Sequence, residues 1–148
     1  MKQMGLKAIG MVRNEVKEPM RGGWEKVTSE IVIEEDLTQS LEGVEEFSHI
    51  FVVYWMHGVP QGGRPPGKVH PRGRADLPVV GLFATRAPFR PNPVGVCVAR
   101  LLARNGNILT VMGLDAIDGT PVIDIKPYMP PLDSPPDVRV PDWVTKLM

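Results

Sequence analysis

His49-Ile50-Phe51-Val52-Val53-Tyr54-Trp55-Met56-His57 is the stretch of this chain that decides its fold. β-Branched and aromatic side chains favour extended backbone because they pack well on a pleated surface. Here they occupy both alternating sets of positions, which predicts a strand buried on both sides at the centre of the core. Outward from it, residues 6–12 alternate well enough for a first strand, and residues 29–33 give a short second one. Residues 36–41 predict a brief helix capped by Asp36. Residues 79–84, 94–103, 107–114 and 121–125 complete a set of about seven strands. Asn105-Gly106 and Asp118-Gly119 are hairpin-type turns expected to join the last three. Sixteen prolines and fifteen glycines favour short strands and many turns over long helices. The predicted class is all-β, mainly an antiparallel barrel or sandwich with short helical segments and a long Pro/Gly-rich loop. A length of 148 residues predicts one domain, 1–148, with a core over about residues 5–130. Residues 127–148 are rich in proline and are expected to run as an extended arm.

A second stretch carries the functional signal. Phe83-Ala84-Thr85-Arg86-Ala87-Pro88-Phe89-Arg90-Pro91-Asn92-Pro93-Val94-Gly95 has three prolines within six positions, which fix backbone angles and remove amide donors. Arg86 and Arg90 sit on this stiff strap, and no acidic residue occurs between Leu77 and Asp115. Such a strap suits an anionic ligand; alternatively it is a surface connection whose arginines pair with distant carboxylates. The formal net charge of zero conceals blocks: residues 27–63 carry seven acids and no Lys or Arg, and residues 64–104 carry eight basic groups and one acid. Gathered on one face, the basic groups attract anions; folded against the acidic block, they are cancelled.

Several common chemistries find no support. Gly62-Gly63-Arg64-Pro65-Pro66-Gly67-Lys68 has Walker-loop spacing, but Val69 replaces the metal-binding hydroxyl and His70-Pro71 cannot open the helix that cradles phosphate. No G-x-G-x-x-G opens a helix after a strand, which argues against a Rossmann-type enzyme. No pair among the three histidines and Cys97 has zinc spacing, so no metal is expected. Cys97 lies in an apolar run and reads as a small buried hydrophobe. No signal peptide or membrane-spanning stretch is apparent, so a cytoplasmic protein is expected.

The strap, together with Leu41-Glu42-Gly43-Val44-Glu45-Glu46-Phe47-Ser48-His49-Ile50 upstream and Leu114-Asp115-Ala116-Ile117-Asp118-Gly119-Thr120-Pro121-Val122-Ile123-Asp124-Ile125-Lys126-Pro127-Tyr128 downstream, resembles the TsaA-like family, known in bacteria as TrmO. The resemblance runs from about Gly10 to Pro130. It implies a compact β-barrel, a homodimer, and methyl transfer from S-adenosylmethionine to tRNA, on the exocyclic nitrogen of threonylcarbamoyl-adenosine beside the anticodon. It also implies that His57 and Gly58 lie against the cofactor; no residue stands out as a strong base, and His57 is the candidate for that role. By the same resemblance Arg72 reaches the methionine end, Val96 makes a main-chain contact, and Asp115, Ala116, Ile117 and Asp118 surround the adenosine. Arg86, Arg90 and Asn92 resemble signature residues of the same pocket that are available to substrate.

The chain departs from the bacterial pattern in two places. The segment after Asn14 lacks the Pro-Arg-Gln element, and no extra C-terminal domain is expected beyond Asp133. Two other classes therefore stay open. One is a methyltransferase using the same cofactor on another RNA position or a small molecule; the other is a non-catalytic cofactor-binding or scaffold protein.

Overall fold

Burial alternates strictly along the central stretch. Ile50, Val52 and Tyr54 are buried, whereas His49, Phe51, Val53 and Trp55 are half-covered. This strand is thus a barrel stave with one inward face, not a strand equally buried on both sides. The structure, a computed structural model, describes residues 1–60 and 62–148. In chain order its strands are β1 Gly10–Arg13, β2 Thr28–Ile33, β3 His49–Trp55, β4 Lys68–Val69, β5 Val80–Gly81, β6 Val94–Asn105, β7 Ile108–Met112 and β8 Pro121–Pro127. Six of them close an antiparallel barrel in the order β1-β2-β7-β6-β3-β8.

The chain gathers into two compact units. The first, Met1–Gly58 with Val94–Tyr128, holds the whole barrel. Its interior is aliphatic: Val12, Ile31, Ile50, Val52, Leu109 and Val111 are sealed from solvent. Burial of each such side chain contributes roughly 1.5–3 kcal/mol. At Gly95 the wall thins. Gly95 pairs with Tyr54, and a Cβ there would overlap the Tyr54 ring, so only glycine lets the ring lie across β6.

The first strand starts at Gly10, later than the alternation from residue 6 predicts, because residues 1–8 are exposed and find no ladder partner among the described residues. The segment expected to be a helix capped by Asp36 is a 3-10 helix, Glu35–Leu41, entered from Glu34 with no side-chain cap. Asp36 lies inside its first turn. Asn105-Gly106 does make the β6–β7 hairpin, with Gly106 at φ 61. Asp118-Gly119 does not make one, since β7 pairs with β2 and β6 while β8 pairs with β1 and β3. Cys97 is half-buried rather than fully buried.

The second unit, Val59–Pro93 with Met129–Met148, is built on turns. Of the strand expected over residues 79–84, Val80–Gly81 pairs with Lys68–Val69 and the rest is a 3-10 turn, Leu82–Ala84. Lys68 thus sits on a strand, and no phosphate-cradling helix follows it. The loop over residues 58–78 includes Gln61, which lies outside the described residues. The C-terminal segment is not wholly extended: prolines preset two short helices, α1 Pro130–Asp133 and α2 Asp142–Thr145. Among the described residues, no helix is long and apolar enough to cross a membrane.

Replacing Gly95 by Ala is expected to destabilise the protein by about 1–3 kcal/mol through overpacking against Tyr54. Denaturant unfolding measures this directly, and an unchanged midpoint would mean that the ring moves aside at no cost.

Candidate functional site

Two of the candidate stretches meet at one end of the barrel. His57 follows β3, with its amide donating to the Trp55 carbonyl at 2.9 Å. A Cβ on Gly119 would lie 3.7 Å from His57 Nε2, and one on Gly58 would lie 3.5 Å from Ile117 Cδ1. His57-Gly58 therefore abuts the Ile117–Gly119 stretch. His57, Gly58 and Asp115 are exposed, Ala116 is buried, and Ile117 and Asp118 are half-buried. Val96 stands apart on the outer face of β6, opposite Val53 and 54% exposed.

The loop between β7 and β8 has irregular backbone, so something other than a ladder must hold it. That residue is Asn14. Its side-chain amide donates to the Ala116 carbonyl and to Ser29 Oγ, both at 2.9 Å, while its oxygen accepts from the Val16 amide at 3.0 Å. Its own backbone amide donates to Asp118 Oδ1 at 2.9 Å. Thr120 completes the hold: its hydroxyl and its amide both donate to the Ile117 carbonyl, at 2.6 and 3.3 Å. Sequence reasoning missed Asn14 because most of its partners are distant in the chain. The signal available was an asparagine directly after an alternating strand, where side-chain capping of a loop is common.

Asp118 is not an unengaged base. Lys17 Nζ donates to its Oδ2 at 2.7 Å, and this bond, together with the Asn14 amide, holds its carboxyl below the ordinary carboxylate range. Its charge therefore anchors the loop.

The remaining candidates belong to the second unit. Arg72 adopts a left-handed backbone, φ 53, in the turn Pro71–Gly73, and its Nη1 donates to the Leu147 carbonyl at 2.8 Å. Arg74 binds Asp76 through two hydrogen bonds, at 3.1 and 2.6 Å, and the Lys146 carbonyl at 2.7 Å. These two arginines tether the C-terminal segment. Arg90 is half-buried and donates to the carbonyls of Thr85 and Ala87, at 3.0 and 3.1 Å, which braces the proline strap. Arg86 and Asn92 are exposed. Among the described residues no carboxylate pairs with Arg86 or Arg90, and Arg104–Glu45, at 3.4 Å, is the ion pair that links the basic and acidic blocks. The same residues include no group of three or more His, Cys, Asp or Glu placed to hold a metal.

A carboxyl whose folded pKa is depressed stabilises the protein above its unfolded pKa, and loses that contribution as pH falls through the folded value. Wild type should therefore exceed Asp118→Asn in stability at pH 7. The gap should close below about pH 4, the ordinary aspartate range. Urea midpoints of both proteins at pH 7, 4 and 3 check this, and a gap independent of pH would assign the difference to something other than charge.

Comparison with known proteins agrees with this architecture. The profile of the tRNA-methyltransferase O N-terminal domain matches residues 11–134. A protein of Methanothermobacter thermautotrophicus named "Probable S-adenosyl-L-methionine-binding protein" is 45% identical over 136 residues, covering 89% of this chain and 95% of that one. A "tRNA (adenine(37)-N6)-methyltransferase" of Escherichia coli is 36% identical over 142 residues, covering 87% of this chain and 59% of that one. The crystal structure of TrmO from Pseudomonas aeruginosa superposes with a TM-score of 0.76 at 28% identity, over 96% of this chain and 62% of that one. The chain thus spans nearly all of the archaeal relative and about three-fifths of the two bacterial proteins. With a closed six-stranded barrel, the strap, and a profile match over most of its length, this chain belongs to the tRNA-methyltransferase O N-terminal domain family.

Proposed function

We propose that this protein is an S-adenosylmethionine-dependent methyltransferase acting on N6 of adenine 37 in tRNA, with threonylcarbamoyl-adenosine as the modified base. The observation that carries the reading is the barrel-end arrangement in which His57-Gly58 abuts the Asn14-held loop, in a chain of this family. The residues present fit such a cofactor. An irregular loop offers backbone amides and carbonyls for an adenine edge, and half-buried Ile117 supplies apolar wall. When bound, the cofactor supplies an electrophilic methyl group on sulfur, so the protein's share of the work is alignment. His57, Gly58, Val96 and residues 115–118 are assigned to the cofactor, together with Arg72. Arg86, Arg90 and Asn92 are assigned to the acceptor, where a guanidinium fork would bind the threonyl carboxylate and separate the modified base from plain adenosine. His57 is assigned to the proton that the acceptor nitrogen loses. Both compact units are proposed to act as one domain, in the cytoplasm where tRNA is found.

A narrower reading keeps the cofactor and drops the chemistry, and the relative named only for binding S-adenosylmethionine favours it. A formal charge of zero favours a third, methyl transfer to a small molecule or another RNA position, since strong RNA affinity rests on many phosphate contacts. Calorimetric titration with S-adenosylmethionine, followed by labelled methyl transfer to tRNA with and without the threonylcarbamoyl group, separates them. Asn14→Ala leaves the Ala116 carbonyl without its partner and should weaken cofactor binding roughly tenfold. His57→Ala should lower transfer more than binding. Transfer to modified tRNA alone, weakening steeply with salt, supports the proposal; binding without transfer would leave the narrower reading standing.

We also propose a homodimer. Val96 and Val98 are 54 and 41% exposed at successive outward positions of β6, apolar surface that a second copy would cover. Light scattering should give twice the chain mass, and Val98→Asp should yield a folded monomer. A monomeric wild type would remove the dimer from the proposal.

A further inference from the structure

Phe83 is 78% exposed, yet it stands on one of the most firmly braced turns of the chain. It is the central residue of the 3-10 turn Leu82–Ala84, whose Leu82 is buried and donates its amide to the Gly67 carbonyl at 3.0 Å. The Thr85 hydroxyl donates to the Leu82 carbonyl at 2.7 Å and accepts from the Ala87 amide at 3.2 Å. Arg90, fixed by its two carbonyl bonds, places its guanidinium carbon 5.6 Å from the Phe83 ring centroid. An aromatic ring left in water adds nothing to the core, and the bracing prevents it from folding inward. Beside the ring lies a groove of about 410 Å³ lined by Arg64, Pro65, Pro66, Gly67 and Pro91 among others.

The chemistry of this corner selects one occupant. Residues 59–93 carry six Lys or Arg and a single acid, Asp76, which is tied to Arg74 at 2.6 Å. A flat ring with the Arg90 guanidinium over it, proline walls and Arg64, which has no ion pair among the described residues, match a planar heterocycle joined to phosphates. An acidic side chain would leave the ring unused, and a purely apolar one would leave the arginine unused. Resting on the tRNA reading above, we infer that Phe83 is a stacking platform for an unpaired base of the RNA loop, with Arg64 meeting an adjoining phosphate. Stacking of this kind tolerates any base, so Phe83 supplies affinity and register and leaves the choice of base to the residues around the acceptor. Phe83 is accordingly a positioning residue, separate from the cofactor set.

The test uses the full chain and two probes: an unmodified single-stranded 12-nucleotide RNA and S-adenosylmethionine. Phe83→Ala and Phe83→Leu should each weaken RNA binding roughly 5- to 100-fold, the range expected for loss of one stacked base. Phe83→Trp should retain it. Affinity for S-adenosylmethionine should be unchanged in all three. The slope of log affinity against log salt should stay constant for the Phe83 variants and fall by about one for Arg64→Ala, because stacking releases no counterion. Circular dichroism should show all variants folded, as expected for an exposed side chain. RNA affinity that is the same in Phe83→Ala and Phe83→Leu as in wild type would overturn the inference while leaving the tRNA reading intact. A parallel loss of cofactor affinity would make the ring a cofactor wall, and a change from dimer to monomer would make its partner a second copy; either overturns it. Failure of wild type to bind this RNA at all would also overturn the inference, and the tRNA reading would then rest on the transfer assay with modified tRNA.

Discussion

Closure of the barrel along the β1–β8 seam is the constraint on which the rest of the structure depends. The seam is short: the two strands meet at Gly10 with Val122 and at Met11 with Pro121, and Pro121 has no amide to donate. Neighbouring residues extend it from both sides. The Ile9 amide donates to the Val122 carbonyl, the Val12 amide to the Thr120 carbonyl, and the Gly119 amide to the Val12 carbonyl. Asn14 and Val16 then continue the zipper onto Ala116 and Asp118 after the ladder has ended. One row of hydrogen bonds thus closes the barrel and shapes the candidate cofactor loop. Loop geometry and barrel integrity cannot be varied independently there.

This coupling explains why a small set of polar groups suffices. Asn14 uses both amide protons and its oxygen, Thr120 places its hydroxyl on a carbonyl, and Ser29 is buried against the Asn14 amide. Among the described residues no buried side-chain nitrogen or oxygen is left without a partner. A satisfied network of this kind is rigid, because each broken bond would strand a polar group in a dry environment. Rigidity is what alignment chemistry requires of the surface against which a cofactor rests.

How far the sequence disclosed all this varied with the range of the interactions involved. β3 and β6 were legible because β-branched and aromatic residues report their own preference for extended backbone. The Asn105-Gly106 hairpin was legible because its turn joins strands that are neighbours in space as well as in sequence. Asp118-Gly119 misled, since an identical local signal stands between strands that pair elsewhere. Residues 79–84 were legible only in part: Val80-Gly81 pairs as β5, but Leu82–Ala84 is a turn that buries Leu82 and turns Phe83 outward. The strap was recognisable from its prolines, whereas Arg90's attachment to the carbonyls of Thr85 and Ala87 was not, because composition does not say whether a guanidinium faces a ligand or its own backbone. Asn14 was invisible for the plainest reason: most of its partners lie elsewhere in the chain.

The β3–β6 ladder ends with Trp55 opposite Val94. The chain therefore leaves the barrel and re-enters it at adjacent positions, and everything between is an insertion whose ends are already joined by the sheet. For a flexible loop, doubling the length of such an insertion costs only about 0.6 kcal/mol in closure entropy. The segment that bears the strap, the arginines and the exposed ring can be lengthened, shortened or exchanged while the staves keep their register. In mechanical terms the excursion and the staves are separable parts of one chain: what changes in the first is not transmitted to the second.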